Sequence, residues 1–436
     1  MAIKTILYLA VTLFFWGKTL KQPIWGIVFF TGIFFIRPET VSYYQLIWLR
    51  IPLITGILTV LSWFLNTNKS TNPSTRTNLI WMLAVFYGIS VASTYFAEVV
   101  PLWRWQAAYF DILLFCFLLV KVTTDIDKIK LITCGIIVGA LFLSIWGCDQ
   151  YFRGNYRLEG LGGNRFGSNE IGSILASIFP IWASLGTGRI SLFQSSKAKK
   201  IERLFFVSTT PLLIATVMFT QSRGAFLGLA TAVVLFFWYA KNKMTTLMVI
   251  ATLLLVILPF APSQYTARIG TIFNPAIIDT ETLHQDTQAS SSPDGSIKGR
   301  LDFWGYAVRM IEDHPLLGVG PQNFEQLTSQ YSSGQYGKKD THNTYLKIAA
   351  ELGIPALVLF IALVVGAIGN YAKAIKNIGI NNKNLLGYAT AYQAALLALS
   401  VSGLTSSYNY TEPLYWYIFL SVPILSLSTK ENPSKR

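Results

Sequence analysis

The side chains able to do chemistry concentrate in one long polar stretch, residues 263–345, of an otherwise very apolar chain. All three histidines lie in it, and His342 stands at its end, before a run that becomes apolar from Ile348. An imidazole with its ordinary pKa of about 6.5 accepts a proton near neutral pH. Long loops between spans are often functional. We therefore predict that His342 is a candidate catalytic base, with a merely interfacial histidine as the alternative, and that Asn343 beside it is a candidate for substrate contact.

Two arginines supply a complementary chemistry. Arg223 lies in a short turn between two predicted spans, and Arg300 lies in the polar stretch itself. Guanidinium groups stay charged and bind phosphate oxygens in pairs, so both are candidates for an anionic ligand. The alternatives are a snorkelling arginine at a helix end for Arg223 and a solvated charge for Arg300. Other arginines on the same predicted side could extend the cationic surface: Arg153, Arg157 and Arg165.

Short helices are predicted inside the polar stretch. From Arg300 onward, apolar residues recur at helical spacing and predict an amphipathic helix that rests on the membrane domain by that face: Leu301, Trp304, Val308 and Ile311. A second short helix is predicted to start at Pro321. Asp340 and Thr341 come just before His342, and either could cap the helix that follows.

The composition places these residues in an integral membrane protein. Of 436 residues, 52% are hydrophobic and only 13% charged, with a mean hydropathy of +0.46, whereas soluble domains have roughly 25% charged residues. We predict an all-α polytopic membrane protein of 12 to 13 transmembrane helices with one large loop containing short helices. The predicted spans are near 24–36, 45–65, 79–97, 107–122, 129–147, 169–187, 204–220, 224–240, 245–262, 350–369, 385–404 and 412–428, with a retained N-terminal run at 3–17 as the thirteenth.

The distribution of lysine and arginine predicts the orientation. Four basic segments fall on one side, which should be cytoplasmic: Lys197 to Arg203, Lys241 to Lys243, Lys373 to Lys383 and Lys430 to Arg436. The chain then divides into N-terminal spans (1–262), an outer loop (263–345) and C-terminal spans (346–436). Basic cytoplasmic loops against anionic lipid explain most of the formal charge of +14, so the bilayer is the expected partner and nucleic acid is not.

Two ionisable residues lie inside predicted spans. Arg50 and Asp111 are at similar depths near the outer ends of their helices. An intramembrane charge costs about 2.5–3.5 kcal/mol on insertion scales. We therefore predict that the two form a structural ion pair that braces the outer cavity.

Several chemistries are disfavoured. Asp125-Ile-Asp127 looks like the acidic pair of sugar-nucleotide transferases, but the predicted topology places it in the cytoplasm, away from the arginines. Three cysteines have neither zinc nor disulfide spacing, and no phosphate-binding loop or serine elbow is present. We expect neither a metal nor another cofactor.

Five motifs between about residues 200 and 370 form a familiar set. They are Gln221-Ser-Arg-Gly224, Gly299-Arg-Leu-Asp-Phe-Trp304, Asp313-His-Pro-Leu-Leu-Gly-Val-Gly320, Asn323-Phe324 and His342-Asn-Thr-Tyr-Leu-Lys-Ile-Ala-Ala-Glu-Leu-Gly353. This set resembles the bacterial O-antigen ligase and polymerase superfamily. The resemblance implies a multi-pass protein of the bacterial inner membrane whose large loop and active site face the periplasm.

The resemblance also implies an activity: transfer of a glycan from an undecaprenyl-diphosphate carrier to a glycan, lipid or protein acceptor, without metal or nucleotide. His342 falls on the family's proposed catalytic histidine, and Arg223 and Arg300 fall on arginines thought to engage the diphosphate. His342 would take a proton from the acceptor hydroxyl as it attacks the anomeric carbon, with inversion, while the arginines stabilise the departing diphosphate.

The acceptor stays open at this point. After Gly353 the ligase pattern has Gly, Thr or Tyr at the place where this chain has Ala356, which weakens the case for a lipid A core acceptor. A polymerase that joins lipid-linked repeats and a ligase that glycosylates protein share the same motifs. A transporter of glycans or anions is a more distant alternative, but it predicts internal repeats and broken helices, and no matching halves are visible.

Overall fold

The computed structural model describes residues 2–36, 46, 49–66, 78–97, 103–155, 158, 167–240, 242–244, 247–248, 297–378 and 382–431. This described part contains fourteen α-helices of nine or more residues and no strand. In chain order they are α1 (Ala2–Lys21), α2 (Ile24–Phe35), α3 (Ile51–Asn66), α4 (Asn78–Tyr95), α5 (Arg104–Val122), α6 (Ile126–Phe152), α7 (Ser168–Gly186), α8 (Ser196–Phe219), α9 (Arg223–Trp238), α10 (Ile297–Asp313), α11 (Asn323–Tyr331), α12 (Thr344–Asn377), α13 (Lys383–Ser402) and α14 (Glu412–Glu431).

Seven of the described helices are long and apolar enough to cross a membrane: α1, α4, α5, α6, α8, α12 and α13. Three shorter helices, α2, α3 and α9, are apolar as well. The prediction of a polytopic helical membrane protein is thereby confirmed. The count of 12 to 13 spans, the domain boundaries and the side on which the loop lies stay predictions. The span near 245–262 falls almost wholly outside the described residues.

Close helix packing forms the core that carries the site. Helices α7, α9 and α13 pack against one another. Gly228 of α9 lies where a Cβ atom would collide with the Ser402 hydroxyl of α13, so a residue without a side chain lets these helices approach. Polar groups also join the helices: the Tyr392 hydroxyl of α13 and the Thr133 hydroxyl of α6 share a hydrogen bond of 2.7 Å.

Helices α10 and α11 pack together on the first turns of α12. One buried cluster joins all three helices: Phe303, Ala307 and Met310 of α10, Phe324 and Leu327 of α11, and Ala350 of α12. The predicted amphipathic helix exists, but only half of its predicted buried face is confirmed: Trp304 and Ile311 are half-buried, whereas Leu301 is 57% and Val308 45% exposed. A second apolar stripe of α10, formed by Phe303, Ala307 and Met310, has the same helical spacing. This second stripe packs against α11.

Helix α12 is kinked at Gly353, whose φ of 85° and ψ of 169° are not helical. The backbone groups around the kink pair with residues 315–320: Ile354 N–H donates to the Pro315 carbonyl at 2.8 Å, and Gly320 N–H donates to the Glu351 carbonyl at 2.9 Å. Buried backbone groups must be paired. The kink therefore fastens the loop helices to the membrane helix.

Candidate functional site

His342 lies immediately before α12, with its side chain 23% exposed and its backbone in the left-handed region at φ 49°. Its backbone N–H donates to the Asp340 carboxylate at 3.3 Å. The same carboxylate oxygen is 3.6 Å from the ring Nδ1. Asp340 therefore faces one side of the imidazole and fixes the peptide that carries it.

The start of α12 is capped by Asn343. Its side-chain oxygen accepts hydrogen bonds from the N–H groups of Tyr345 and Leu346 at 3.0 and 3.1 Å, and its Nδ2 donates to the Leu404 carbonyl at 3.1 Å. The expectation that Asp340 or Thr341 caps the helix was wrong, because Asn343 occupies the N-cap position. In this conformation both polar groups of Asn343 bind backbone, so its contact with substrate stays a prediction.

Arg223 is the first residue of α9 and is half-buried. Ser222 caps the helix by accepting a hydrogen bond from Ala225 N–H at 3.2 Å. The neighbouring Gly224 carbonyl accepts from the Ser402 hydroxyl at 2.9 Å. A Cβ atom at Gly224 would collide with Thr405, so this turn lies tightly against the segment after α13.

Arg300 is half-buried in the first turn of α10. One turn later, the indole Nε1 of Trp304 donates to the Thr341 carbonyl at 3.1 Å, next to His342. The charge of Arg300 also reaches Tyr408: burial raises the pKa of Tyr408, whereas the guanidinium of Arg300 acts to lower it.

The turn between α13 and α14, residues 403–411, brings these motifs together. Thr344 N–H donates to the Gly403 carbonyl at 2.8 Å, and the Thr344 hydroxyl accepts from Tyr408 N–H at 2.8 Å. The start of α9 lies against the same turn, because Gly224 contacts Ser402 and Thr405. The structure thus brings the chain segments next to Arg223 and His342 into contact with residues 402–408, and it joins the helix that carries Arg300 to Thr341, next to His342. That the two arginines bind phosphate and the imidazole transfers a proton stays a prediction.

A buried charge cluster next to His342 was missed by sequence reasoning. Lys347 is only 4% exposed, and its Nζ lies 2.8 Å from Asp340, 3.0 Å from Glu325 and 3.9 Å from Glu351. Burial by itself raises the pKa of Asp340, but the charges of Lys347 and His342 outweigh it and hold the pKa below its usual range. The available signal was a lysine and a glutamate one turn apart at the start of an apolar helix, where unpaired charge is costly.

The remaining candidate residues lie elsewhere. Arg153 follows α6, is 71% exposed and pairs with Asp149 at 2.8 Å. Arg157 and Arg165 lie outside the described residues. Arg50 was predicted to lie inside a span, but it lies immediately before α3, which begins at Ile51. Arg50 and Asp111 line one cavity of about 960 Å³ between α2, α3, α5 and α14, and their ion pair stays a prediction. Within the described residues, no group of three or more His, Cys, Asp or Glu side chains is placed to hold a metal ion.

Ala356, the departure from the ligase pattern, is fully buried in α12. Its side chain packs inside the protein, so any influence on the acceptor would act through neighbouring residues.

Comparison with known proteins gives two family matches. Residues 209–361 match the O-antigen ligase family, and residues 3–177 match a family of unknown function, DUF5935. No curated protein matches the chain. The first match contains Arg223, Arg300 and His342, and it confirms the resemblance that the sequence motifs indicated.

Proposed function

We propose, from the match of residues 209–361 to the O-antigen ligase family, that this protein is a membrane ligase or polymerase of glycans with a specific reaction. The protein transfers a glycan from undecaprenyl diphosphate to an acceptor hydroxyl on the periplasmic face of the inner membrane. The observation that carries the proposal is that the segments with Arg223 and His342 both contact residues 402–408, while Trp304 joins the helix with Arg300 to Thr341.

The proposed step is a single displacement. The acceptor oxygen forms a bond to the anomeric carbon, and His342 takes the hydroxyl proton. The bond from that carbon to the diphosphate oxygen breaks, and its electron pair leaves with the lipid diphosphate. Attack opposite the leaving group inverts the anomeric centre. Arg223 and Arg300 stabilise the charge that develops on the leaving group, which lowers the barrier only if the contact strengthens in the transition state.

The Asp340 carboxylate supports the role of His342. It lies 3.6 Å from Nδ1, so it stabilises the imidazolium that forms when the ring accepts a proton. A positioned general base contributes about 10²–10⁴-fold to a rate. We therefore expect His342→Ala to lower transfer by at least about 10²-fold without preventing folding.

The test is transfer in liposomes with purified protein, a lipid-diphosphate-linked glycan and candidate acceptors. His314→Ala is the matched control for His342→Ala, since His314 lies on the same loop. Arg309→Gln is the control for Arg300→Gln, since Arg309 is on the exposed flank of α10 and stacks on Tyr306. We expect Arg300→Gln to lower kcat about 10²-fold and Arg309→Gln to leave it unchanged.

The acceptor that reacts decides the subclass. Transfer to a second lipid-linked repeat identifies a polymerase, transfer to a lipid or protein identifies a ligase, and neither outcome changes the roles of His342 and the arginines. Active His342→Ala protein would overturn the catalytic assignment. Movement of a glycan across the bilayer without transfer would favour a transporter instead.

A further inference from the structure

The buried side chain of Lys347 contacts Asp340, the residue that faces His342. Each oxygen of the Asp340 carboxylate has its own partner: Oδ1 accepts from Lys347 Nζ at 2.8 Å, and Oδ2 accepts from His342 N–H at 3.3 Å and lies 3.6 Å from His342 Nδ1. We propose that Lys347 is a positioning residue, which holds Asp340 in place and so sets the orientation and charge of His342. This inference rests on the proposed function for its effect on catalysis, but not for its effect on His342 itself.

The position of Lys347 is well fixed. It lies one turn into α12, almost fully buried, and it also donates to Glu325 of α11 at 3.0 Å. One ammonium therefore links a loop helix, a membrane helix and the short segment 340–343. A carboxylate held by a buried, charge-assisted hydrogen bond keeps one geometry, so Asp340 offers Oδ2 to His342 in a constant position.

Lys347 has more than one acidic neighbour. Three carboxylates face its one ammonium, from Glu325 of α11, from Asp340, and from Glu351 one turn further along α12. The charge of Asp340 also acts on Glu170 at the start of α7, where it contributes, after burial, to a raised pKa of Glu170. Removal of a buried positive charge leaves its carboxylates uncompensated. The surroundings of His342 would then become more negative, whereas loss of the Asp340 charge makes them less negative.

Opposite changes of charge should therefore shift the titration midpoint of His342, the pH at which half of its rings are protonated, in opposite directions. The probe is diethyl pyrocarbonate, which acylates the unprotonated imidazole, with the rate followed by mass spectrometry of the peptide that contains His342 across a pH series. Because a nearby carboxylate favours the protonated ring, we expect Asp340→Asn to move the midpoint down by about half a pH unit or more. We expect Lys347→Met to move it up.

Two further variants distinguish the positioning of Asp340 by Lys347 from a general effect of nearby charge on His342. Lys347→Arg keeps the charge and should leave the midpoint close to wild type. Glu325→Gln removes a carboxylate that touches Lys347, and it should move the midpoint less than Asp340→Asn does. His314 in the same digest is the internal reference. Unchanged midpoints in Asp340→Asn and Lys347→Met, or equal shifts in Asp340→Asn and Glu325→Gln, would overturn the proposal.

The catalytic part of the proposal is tested by transfer. We expect Lys347→Met to lower kcat about tenfold with the KM for the donor unchanged, and the double variant with His342→Ala to be no slower than His342→Ala alone. If the loss of kcat in the double variant equals the product of the two single losses, the catalytic part of the proposal is overturned. If wild type and His342→Ala transfer equally, the proposed function fails, while the midpoints still decide whether Lys347 positions His342. Thermal unfolding of Lys347→Arg beside Lys347→Met shows whether a loss comes from misfolding.

Discussion

The indole Nε1 of Trp304 donates a hydrogen bond of 3.1 Å to the carbonyl of Thr341, one residue before His342. This contact joins α10, which carries Arg300, to the segment that carries the histidine. Trp304 therefore links the helix that carries the cation proposed for the diphosphate to the segment that carries the base proposed for the acceptor.

Trp304→Phe should raise the activation free energy of transfer by more than it lowers the free energy of unfolding. An aromatic ring remains, although it is smaller than the indole, and the donor is lost. An unmade hydrogen bond costs about 1 kcal/mol, which corresponds to roughly a fivefold loss of kcat if it acts on the transition state. The control is Trp238→Phe at the exposed end of α9. Equal kcat values for Trp304→Phe and wild type would show that this contact does not position the site.

Gly353→Ala should destabilise the protein. Its φ of 85° is unfavourable for a side chain, and the added Cβ atom would collide with the Leu316 carbonyl. We expect a loss of about 2 kcal/mol or more in the free energy of unfolding, measured as a lower Tm in detergent. Gly369→Ala is the matched control, because Gly369 is helical in the same α12 and has open space around it. A Tm no lower than that of the control would contradict this account.

The sequence was sufficient to predict the fold class and the principal motifs, because span composition and the residues around Arg223, Arg300 and His342 are local signals. It did not predict that Asp340 and Lys347 touch, since that contact depends on how the 340–343 segment turns back on α12. The buried face of α10 was predicted only in part, through Trp304 and Ile311. Its two apolar stripes are equally helical in spacing, and only the position of α11 decides between them.

The kink at Gly353 illustrates the same limit. The Gly353-Ile-Pro355 sequence is a known signal for a helix break, but the sequence does not show that Pro315 and Gly320 supply the backbone partners there. Contacts between elements distant in sequence form from the packing of the whole chain, which local periodicity does not encode.

The lowered pKa of Asp340 predicts a pH dependence of stability. A carboxyl whose pKa is lower in the folded state contributes stability above its unfolded pKa of about 3.9, and this contribution is lost as the pH falls further through the folded value. Asp340→Asn should therefore be less stable than wild type at pH 5 to 7, with a difference that shrinks below about pH 4. This stability difference is measured by unfolding both proteins in detergent at a series of pH values.

Asp149→Asn is the control for that series. Asp149 pairs with the exposed Arg153, and surface pairs contribute only about 0–1 kcal/mol. We expect almost no difference from wild type at any pH. A difference for Asp340→Asn that stays constant down to pH 3 would mean that the lost hydrogen bonds, and not the carboxylate charge, carry the effect.

The predicted ion pair between Arg50 and Asp111 is testable by a double-mutant cycle. Both residues line the same apolar cavity, where a charge is expensive without a partner. If they pair, Arg50→Gln and Asp111→Asn should show a coupling free energy of about 1 kcal/mol or more, measured by unfolding in detergent. Glu412 lines the same cavity, so Arg50→Gln with Glu412→Gln is the control cycle. Coupling of Arg50 to Glu412 but not to Asp111 would assign the arginine to a different carboxylate and refute the pair.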